Sequence, residues 1–399
     1  MAEVNKNAVD AFLREEYEEL VKKDFDWKMR VLGSASGART IVDGKEVIML
    51  CSNNYLGLNT HPKLIRAAIE ATQRYGVGTG AVRPIAGTMD LHLELEAKIA
   101  HFKRMESALY YQSGFAANTG LIPQLVDKGD LVISDSLNHG SIIDGVRLSK
   151  ADRAIYEHRD MNSLEKVLKE AEKGNYRRKI IITDGVFSMD GDIAPLDRIV
   201  ELAEKYCAMT YVDDAHGDGV LGEKGRGISS HFHVEGKVNV EMGTFSKAFG
   251  VVGGYVAGSK DLKPFALNKS RTWLLSGSMP LCVVAACIAA LEVLETEPQW
   301  VEKLWENTNY FKKGLESMGF DIGISETPIT PVIVGESKLT KELSRKLFEE
   351  GVFGYPIVFP MVARDKARVR TQVCATHTKE DLNTALSAFE KVGKELKII

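Results

Sequence analysis

A lysine follows directly after one of the predicted strands. The strand covers residues 238–243, and Thr244, Ser246 and Lys247 come next in the chain. A lysine just past a strand end lies at the carboxyl edge of an α/β sheet, where such sheets bind ligands. Thr244 and Ser246 can donate hydrogen bonds to a phosphate, and Gly250 allows close backbone approach. A lysine beside phosphate-binding residues predicts an imine with pyridoxal phosphate (PLP).

A second group of polar residues closes the predicted strand at 209–213. Asp213, Asp214 and His216 stand together there. PLP withdraws electrons only while its ring nitrogen is protonated, and a buried carboxylate beside that nitrogen keeps it so. Because successive strand residues point to opposite faces, only one of the two aspartates can reach the ring. His216 is then placed to hydrogen-bond the phenolic oxygen of PLP. Taken alone, these residues would also suit a metal cluster or a solvated turn.

Two further turns carry polar residues just past predicted strands. Residues 111–118 run from a strand through Ser113 into a helix, whose free N–H groups can hold a phosphate. His139 follows the strand at 130–135 and can stack on an aromatic ring. Each turn also has a plain interpretation, as a strand-to-helix connection in the first case and a helix-capping loop with a surface histidine in the second.

The elements that must position these residues alternate between short apolar strands and amphipathic helices. Helices are predicted at 91–103 and 197–207. This alternation is typical of βαβ units and a mainly parallel sheet, and nearly continuous apolar runs are typical of strands buried on both faces. We therefore predict a large α/β domain over residues 50–290. Its clearest strands are at 130–135, 179–183, 209–213, 238–243 and 252–257.

The two ends of the chain do not continue the strand–helix alternation of this central region. Residues 1–49 predict a helix at 9–23 and, reaching into the next region, a hairpin at 39–50 that turns at Asp43-Gly44. Residues 291–399 predict a smaller α+β domain. Its elements are the end of a long helix (284–317) broken near Glu297-Pro298, a strand at 330–335, a helix ending at Gly351, an extended segment at 358–373 and a last helix from Thr378.

Composition excludes several classes of protein. The chain has 51 Lys and Arg against 55 Asp and Glu, so no basic surplus points to nucleic acid. The five cysteines form no Cys-x-x-Cys pair, and His231-x-His233 lacks a third metal ligand of suitable spacing. Residues 1–20 contain no apolar signal segment, and the longest apolar run, 279–291, is too short to span a bilayer. We expect a cytoplasmic protein with neither a metal site nor a membrane partner.

Taken together, these residues resemble the α-oxoamine synthase family of PLP-dependent enzymes. The resemblance runs from about residue 10 to the end of the chain. It implies PLP fold type I, an aspartate aminotransferase-like architecture with a large, mainly parallel sheet domain and a smaller C-terminal α+β domain. The segments that carry it are SNNYLGL (52–58), GTGAVRPIAGTMDLHLELE (78–96), SGFAAN (113–118), DSLNHGSIIDG (135–145), TDGVFSMDGD (183–192), VDDAHGDGVLG (212–222), GTFSKAFG (243–250) and RVRTQVCATHT (368–378).

The resemblance implies a role for each residue around the PLP ring. Lys247 forms the imine and, once freed by the amino acid, removes its α-proton. Asp213 pairs with the pyridine nitrogen, and His216 pairs with the phenolic oxygen O3′. His139 stacks over the ring and also contacts the substrate, while Ser188 lies near the O3′ edge.

The resemblance also implies which residues hold the PLP phosphate, and it implies a homodimer with shared active sites. Gly114, Phe115 and Thr244 hold the phosphate within one subunit. Ser276 and Gly277 reach the phosphate of the neighbouring subunit.

The substrates implied by the resemblance are an amino acid and an acyl-CoA. Asn53 and Arg370 hold the amino-acid carboxylate, although strand alternation alone puts Arg368 on the same face as Arg370. Residues 357–378 and 141–152 are most similar to glycine C-acetyltransferase, which predicts glycine and acetyl-CoA as substrates. Residues 276–280 are closer to 8-amino-7-oxononanoate synthase, which joins alanine to pimeloyl-CoA. An aminotransferase or a lyase on the same fold is a more distant alternative.

Overall fold

The computed structural model describes residues 10–399 of the chain. In chain order the strands are β1 (Arg39–Val42), β2 (Lys45–Met49), β3 (Ser107–Tyr111), β4 (Leu131–Asp135), β5 (Asp152–Tyr156), β6 (Lys179–Asp184), β7 (Met209–Asp213), β8 (Val240–Thr244), β9 (Gly254–Gly258), β10 (Ile329–Gly335), β11 (Val352–Phe353), β12 (Tyr355–Ile357) and β13 (Ala367–Gln372). The α-helices are α1 (Ala11–Lys22), α2 (Pro62–Tyr75), α3 (Asp90–Phe102), α4 (Gly114–Leu125), α5 (Gly140–Arg147), α6 (Met161–Ala171), α7 (Leu196–Lys205), α8 (Ile228–His231), α9 (Leu262–Lys269), α10 (Arg271–Leu274), α11 (Leu281–Thr296), α12 (Gln299–Ser317), α13 (Ser337–Glu349) and α14 (Lys379–Glu395).

A seven-stranded sheet forms the centre of the fold, with the strand order β3-β9-β8-β7-β6-β4-β5. Strands β4 to β8 pair in parallel, whereas β9 runs antiparallel to both of its neighbours, β3 and β8. The predicted mainly parallel sheet is therefore confirmed. Since parallel strands end at the same edge, the residues that follow β4, β6, β7 and β8 are brought together.

Both faces of this sheet are buried, as the apolar runs predicted. On β6, Ile181 packs into one hydrophobic cluster, while its neighbours Ile180 and Ile182 pack into another on the opposite face. On β7, Val212 and Tyr211 divide between the same two clusters. Continuing this alternation places Asp213 and Asp214 on opposite faces of the sheet.

The C-terminal part of the chain has its own antiparallel sheet, in the order β10-β13-β12. Helices α12, α13 and α14 contribute to the core beside it, with Phe311, Leu343, Val369 and Phe389 all fully buried. The N-terminal hairpin β1–β2 joins this region, because β2 pairs in parallel with β11. The domain boundaries at 49/50 and 290/291 stay predictions.

Several turns and helix ends lie at the residues that the local sequence predicted. The hairpin turns at Asp43 and Gly44, both with positive φ. The long helix is interrupted at Glu297-Pro298, between α11 and α12. Thr378 and Asp381 form the predicted capping box of α14. The predicted extended segment over 358–373 is wrong in part, because only β13 is a strand.

Residues 358–366 turn instead of extending. The N–H of Met361 donates to the carbonyl of Val358, and that of Lys366 donates to the carbonyl of Ala363. Pro360 has no N–H to donate to a sheet, which disfavours a continuous strand here. Among residues 10–399, no helix is both long and apolar enough to cross a bilayer.

Candidate active site

The carboxyl ends of β6, β7 and β8 border a cavity of about 240 Å³. The strand register pairs Asp184 with Asp213 and Asp213 with Met242, so these ends lie side by side. Most of the residues predicted to contact PLP meet in this cavity. Its wall contains Gly114, Phe115, His139, Ser188, Asp213, His216, Thr244 and Lys247.

Lys247 lies on a tight turn held by the aromatic residues on either side of it. Phe245 and Phe249 are fully buried, with ring centroids 4.8 Å apart. Gly250 closes the turn with φ +69°, and its N–H donates to the carbonyl of Lys247. Burial lowers the pKa of Lys247 to about 8, although the nearby carboxylates oppose this change. A substantial fraction of this amine is therefore neutral near physiological pH.

The N-terminus of α4 opens onto one end of the cavity. Ser113 caps the helix by accepting a hydrogen bond from the N–H of Ala116 at 3.0 Å. The hydroxyls of Thr244 and Ser246 lie 2.8 Å apart beside it. Strand β9 approaches so closely that a Cβ on Gly254 would lie 2.4 Å from the carbonyl oxygen of Ser113. A helix N-terminus with two hydroxyls suits a phosphate.

Asp213 lies in the cavity wall with both of its oxygens engaged. One oxygen accepts from the side-chain amide of Asn118 at 2.8 Å, and the other accepts from the N–H of Ala215 at 3.0 Å. Asn118 is held in turn by the hydroxyl of Tyr211, which donates to its oxygen. The carboxylate is thus buried and oriented, whereas Asp214 points to the other side of the sheet.

His139 caps the N-terminus of α5 and lines the cavity next to Asp184. Its backbone N–H donates to Asp184 at 2.7 Å, and its Nδ1 lies 2.7 Å from the hydroxyl of Ser141. Burial lowers the pKa of His139 and raises the pKa of Asp184. The histidine is therefore neutral at pH 7, with an uncharged ring facing the cavity.

His216 is buried on the same side of the sheet as Asp213, and its Nδ1 lies 2.7 Å from the hydroxyl of Tyr55. Burial, together with the nearby charge of Lys247, places the pKa of His216 well below its usual range. A neutral imidazole has one N–H and one acceptor nitrogen. If Nδ1, which contacts Tyr55, carries the proton, then Nε2 can only accept a hydrogen bond. If Nδ1 is unprotonated, then Nε2 is the donor.

The two arginines of β13 have different surroundings. Arg368 is buried and pairs with Asp190, and it also donates to the carbonyl of Met189. Arg370 donates through Nε to the carbonyl of Ser188, while its two terminal nitrogens lie 3.4 Å from Asn53 Oδ1. Within residues 10–399, Arg368 therefore already has a carboxylate partner, and Arg370 has none. This difference favours Arg370 as the residue that binds the amino-acid carboxylate, a choice that strand alternation left open.

Ser276 and Gly277 lie outside the lining of the cavity in their own chain. The carbonyl of Gly277 accepts from the side-chain amide of Gln112 at 2.7 Å, and its backbone bridges to Val82. Gly277 is exposed. Their predicted contact with a phosphate across a subunit interface stays a prediction.

Sequence reasoning missed several residues that shape the site. Asn118 belongs to a segment quoted for the resemblance, yet no role was assigned to it. Asp184 directly follows the strand predicted at 179–183, so its position was the available signal. Tyr55, Gln372 and Lys103 gave no signal, because their partners are far away in the chain.

A buried lysine lies behind the cavity, on the other face of the sheet. Lys103 Nζ lies 2.8 Å from Asp214, 2.9 Å from Asp218 and 2.9 Å from Glu241. It also donates to the carbonyl of Arg226. All three carboxylates are buried, and burial raises the pKa of Asp214 and Asp218. These contacts hold the segment that carries Asp213 and His216.

The residues present fit PLP in the chemistry of their donor set. A helix N-terminus and two hydroxyls at one end suit its phosphate, and the buried carboxylate of Asp213 suits a protonated ring nitrogen. His139 supplies a neutral aromatic face between these groups, and Lys247 supplies an amine. Gly254 supports a phosphate site independently, because a side chain at this position would displace the turn at Ser113, where the phosphate would bind.

Comparisons with known proteins agree with this fit. The family model described as "Aminotransferase class I and II" matches residues 45–389. An 8-amino-7-oxononanoate synthase from Thermoanaerobacter pseudethanolicus is 60% identical over 97% of this chain and 98% of its own length. The protein named 8-amino-7-oxononanoate synthase 1 in Bacillus subtilis is 52% identical over 97% of this chain and 98% of its own.

Solved structures give the same result. A serine palmitoyltransferase from S. paucimobilis with a bound PLP–myriocin aldimine superposes with a TM-score of 0.92, at 30% identity, over 99% of this chain and 100% of that one. An 8-amino-7-oxononanoate synthase from Francisella tularensis gives 0.76 at 26% identity, over 88% of this chain and 98% of that one.

The chain therefore belongs to the class I and II aminotransferase family, within its α-oxoamine synthase group of PLP-dependent enzymes. The predicted fold and cofactor are confirmed. The expectation that glycine C-acetyltransferase is the nearest member is not supported. Relatives at 52–60% identity are named 8-amino-7-oxononanoate synthase, in line with the alternative.

Replacing Lys103 by methionine tests the buried charge cluster. The change leaves three buried carboxylates without their cation, and breaking a buried pair on one side typically costs about 3–5 kcal/mol. Lys103 lowers the pKa of Asp214, so its removal raises the folded-state pKa of this carboxyl further above the unfolded value. The variant then gains more stability from protonation than the wild type does, and the loss in unfolding free energy should be larger at pH 8 than at pH 5.5. Urea denaturation at both pH values measures it.

Lys98→Met is the matched control, on helix α3, which ends just before Lys103. Lys98 pairs with Glu292 at 2.8 Å on the surface, where such a pair contributes about 0–1 kcal/mol. Equal losses for the two variants, or a loss for Lys103→Met that shrinks as the pH rises, would contradict the account given above.

Proposed function

We propose that this chain is an 8-amino-7-oxononanoate synthase. It condenses alanine with pimeloyl-CoA and releases CoA, carbon dioxide and 8-amino-7-oxononanoate. The observation that carries the proposal is 52–60% identity, over nearly the whole chain, to several proteins of that name. The cavity supports the chemistry, since it gathers an amine, a buried carboxylate, a phosphate-binding turn and, beside it, an arginine that has no carboxylate partner within residues 10–399.

Condensation of glycine with acetyl-CoA is a second candidate. It is favoured by the likeness of residues 357–378 and 141–152 to glycine C-acetyltransferase. Both reactions use the same cofactor and the same catalytic lysine. They differ in one methyl group on the amino acid and in the length and terminal charge of the acyl group.

PLP, when bound, supplies an electron sink for the negative charge that forms on the amino acid's α-carbon. Lys247 removes the α-proton, and its lowered pKa suits a general base near neutral pH. Asp213 would hold the proton on the ring nitrogen, and His139 would pack against the ring. His216 and Ser188 would contact the phenolic oxygen.

The amino acid is oriented by its carboxylate. Arg370 offers two terminal nitrogens in a planar fork that matches a carboxylate, and the amide nitrogen of Asn53 makes no hydrogen bond within residues 10–399. Gly114, Phe115 and Thr244 line the same cavity as Lys247 and would hold the phosphate.

We also propose that the enzyme is a homodimer with composite active sites. Large apolar side chains are exposed in several segments near Gly277 and the N-terminus of α4. Val77 is 81% exposed, Ile85 84%, Leu275 69% and Phe115 53%. A second copy of the chain would cover such residues and bring its Ser276 and Gly277 to the phosphate.

The proposed reaction is tested by measuring free CoA thiol in a two-by-two panel. Alanine and glycine are each combined with pimeloyl-CoA and acetyl-CoA, and the product is identified by mass spectrometry. We expect alanine with pimeloyl-CoA to give the highest kcat/KM. One methyl group alters selectivity by only about 1–3 kcal/mol, so some turnover of glycine is compatible with the proposal.

Lys247→Ala is the control for the panel and should release no thiol. A higher kcat/KM for glycine with acetyl-CoA would replace the proposal by the second candidate. Amino-group transfer to a keto acid without thiol release would instead indicate an aminotransferase.

Asp213→Asn tests the carboxylate assigned to the ring nitrogen. Breaking a buried charged pair costs roughly 3–5 kcal/mol, and 3 kcal/mol in the transition state lowers kcat by about two orders of magnitude. Asp214→Asn is the control, because it removes one negative charge from a cluster with three carboxylates and one lysine. Because Lys103 keeps two carboxylate partners, this variant should lower kcat far less than Asp213→Asn does. The reverse pattern would show that the other aspartate serves the ring.

Composite sites predict that two inactive variants can complement each other. Lys247→Ala and a double substitution at Ser276 and Gly277 are each expected to lack activity alone. Mixing and refolding them together should restore activity, because a hybrid dimer contains one intact site. An active monomer in sedimentation experiments at low concentration would refute the shared-site arrangement.

A further inference from the structure

A continuous series of hydrogen bonds joins Arg370 to His216. The terminal nitrogens of Arg370 reach Asn53 Oδ1 at 3.4 Å. Gln372 Nε2 lies 2.7 Å from that same oxygen and 3.3 Å from the hydroxyl of Tyr55. Tyr55 in turn lies 2.7 Å from His216 Nδ1. The series connects the predicted carboxylate site with the histidine at the cofactor cavity.

Donor and acceptor roles along this series follow from its first member. A guanidinium has only donors, so the atom that Asn53 turns toward Arg370 must be its oxygen. The atom of Gln372 that lies 2.7 Å from this oxygen must therefore be its amide nitrogen. The amide oxygen of Gln372 has no partner among residues 10–399, so these donor contacts set the orientation of the amide.

The hydroxyl of Tyr55 has one proton, and the same reasoning places it. Gln372 donates to the Tyr55 oxygen, so this proton must go to a different neighbour that accepts. His216 Nδ1 is the acceptor within reach. Since burial keeps His216 neutral, an Nδ1 that accepts leaves the single ring proton on Nε2. Tyr55 is only 1% exposed, so water does not compete for its proton.

We propose that Tyr55 and Gln372 are positioning residues that hold His216 as the Nε2–H tautomer, with this N–H available to the phenolic oxygen of PLP. Asn53 Oδ1 accepts from both Arg370 and Gln372, and from Gln372 onward each member donates toward His216. The series also keeps the amide nitrogen of Asn53 free for the substrate carboxylate. The use of the N–H by PLP rests on the proposed function, whereas the tautomer is a property of the chain itself.

Nitrogen-15 NMR of histidine in the PLP-free full-length protein tests the tautomer directly. A His216→Asn spectrum identifies the signals. In the wild type we expect a protonated Nε2 and an unprotonated Nδ1. Tyr55→Phe should give a mixture of both tautomers, and fluorescence quenching should show PLP binding weakened by about two- to tenfold.

Tyr110→Phe is the matched control. Tyr110 is also buried, and its hydroxyl donates to the carbonyl of Val252 at 2.8 Å, outside the series. It loses a buried hydrogen bond as Tyr55→Phe does, so a similar fall in melting temperature is expected. Its His216 signals should remain those of the wild type, which separates positioning from general destabilisation.

Gln372→Glu provides a second test, and it serves if Tyr55→Phe fails to fold. The carboxylate replaces a donor by an acceptor, so it attracts the Tyr55 proton, and His216 should change toward Nδ1–H. An Nδ1–H tautomer in the wild type, or a pure Nε2–H tautomer in both variants, would overturn the inference. The NMR readout does not depend on turnover, so failure of the thiol-release panel leaves it intact.

Discussion

The ion pairs of Lys103 hold the end of β7, and the geometry of the cavity depends on that end. One cation lies among three buried carboxylates, and burial raises the pKa of Asp214 and Asp218. Asp213 precedes Asp214 in the chain, and His216 follows two residues later. Neither can move far without disturbing these contacts, because a buried charge that loses its partner is strongly unfavourable. The catalytic face is therefore positioned from behind the sheet.

The same burial determines the protonation of the groups that face the cavity. It lowers the pKa of Lys247, His139 and His216, and it raises the pKa of Asp184. Both imidazoles are therefore neutral at pH 7, and the amine, with a pKa of about 8, gives up its proton only slightly above that pH. A neutral lysine can accept a proton, and a neutral histidine can donate along one direction while accepting along another.

The choice between related substrates illustrates how a local likeness can mislead. Residues 357–378 predicted glycine C-acetyltransferase, whereas similarity over the whole chain favours 8-amino-7-oxononanoate synthase. Much of that segment is committed to packing: Arg368 pairs with Asp190, Thr371 donates to the carbonyl of Thr330, and the N–H of Cys374 donates to His377. Residues that make such packing contacts are required by the fold of the C-terminal region. Similarity at these positions therefore says little about which acyl group the enzyme accepts.

Sequence alone determined the mainly parallel α/β fold and the strand ends that carry polar residues, and it predicted Lys247 as the reactive amine. These features depend on local periodicity and turn residues, which a chain displays without its tertiary contacts. Strand alternation left Asp213 and Asp214, and Arg368 and Arg370, as open pairs that only the family resemblance decided. Tertiary structure supplied the physical grounds for Asp213 and Arg370, and it alone revealed the contacts of Lys103, Tyr55 and Gln372. The contacts of these last residues span 111 positions for Lys103 and Asp214, 161 for Tyr55 and His216 and 317 for Gln372 and Tyr55. No local pattern encodes a partner at such distances, because folding of the whole chain is what brings the two together.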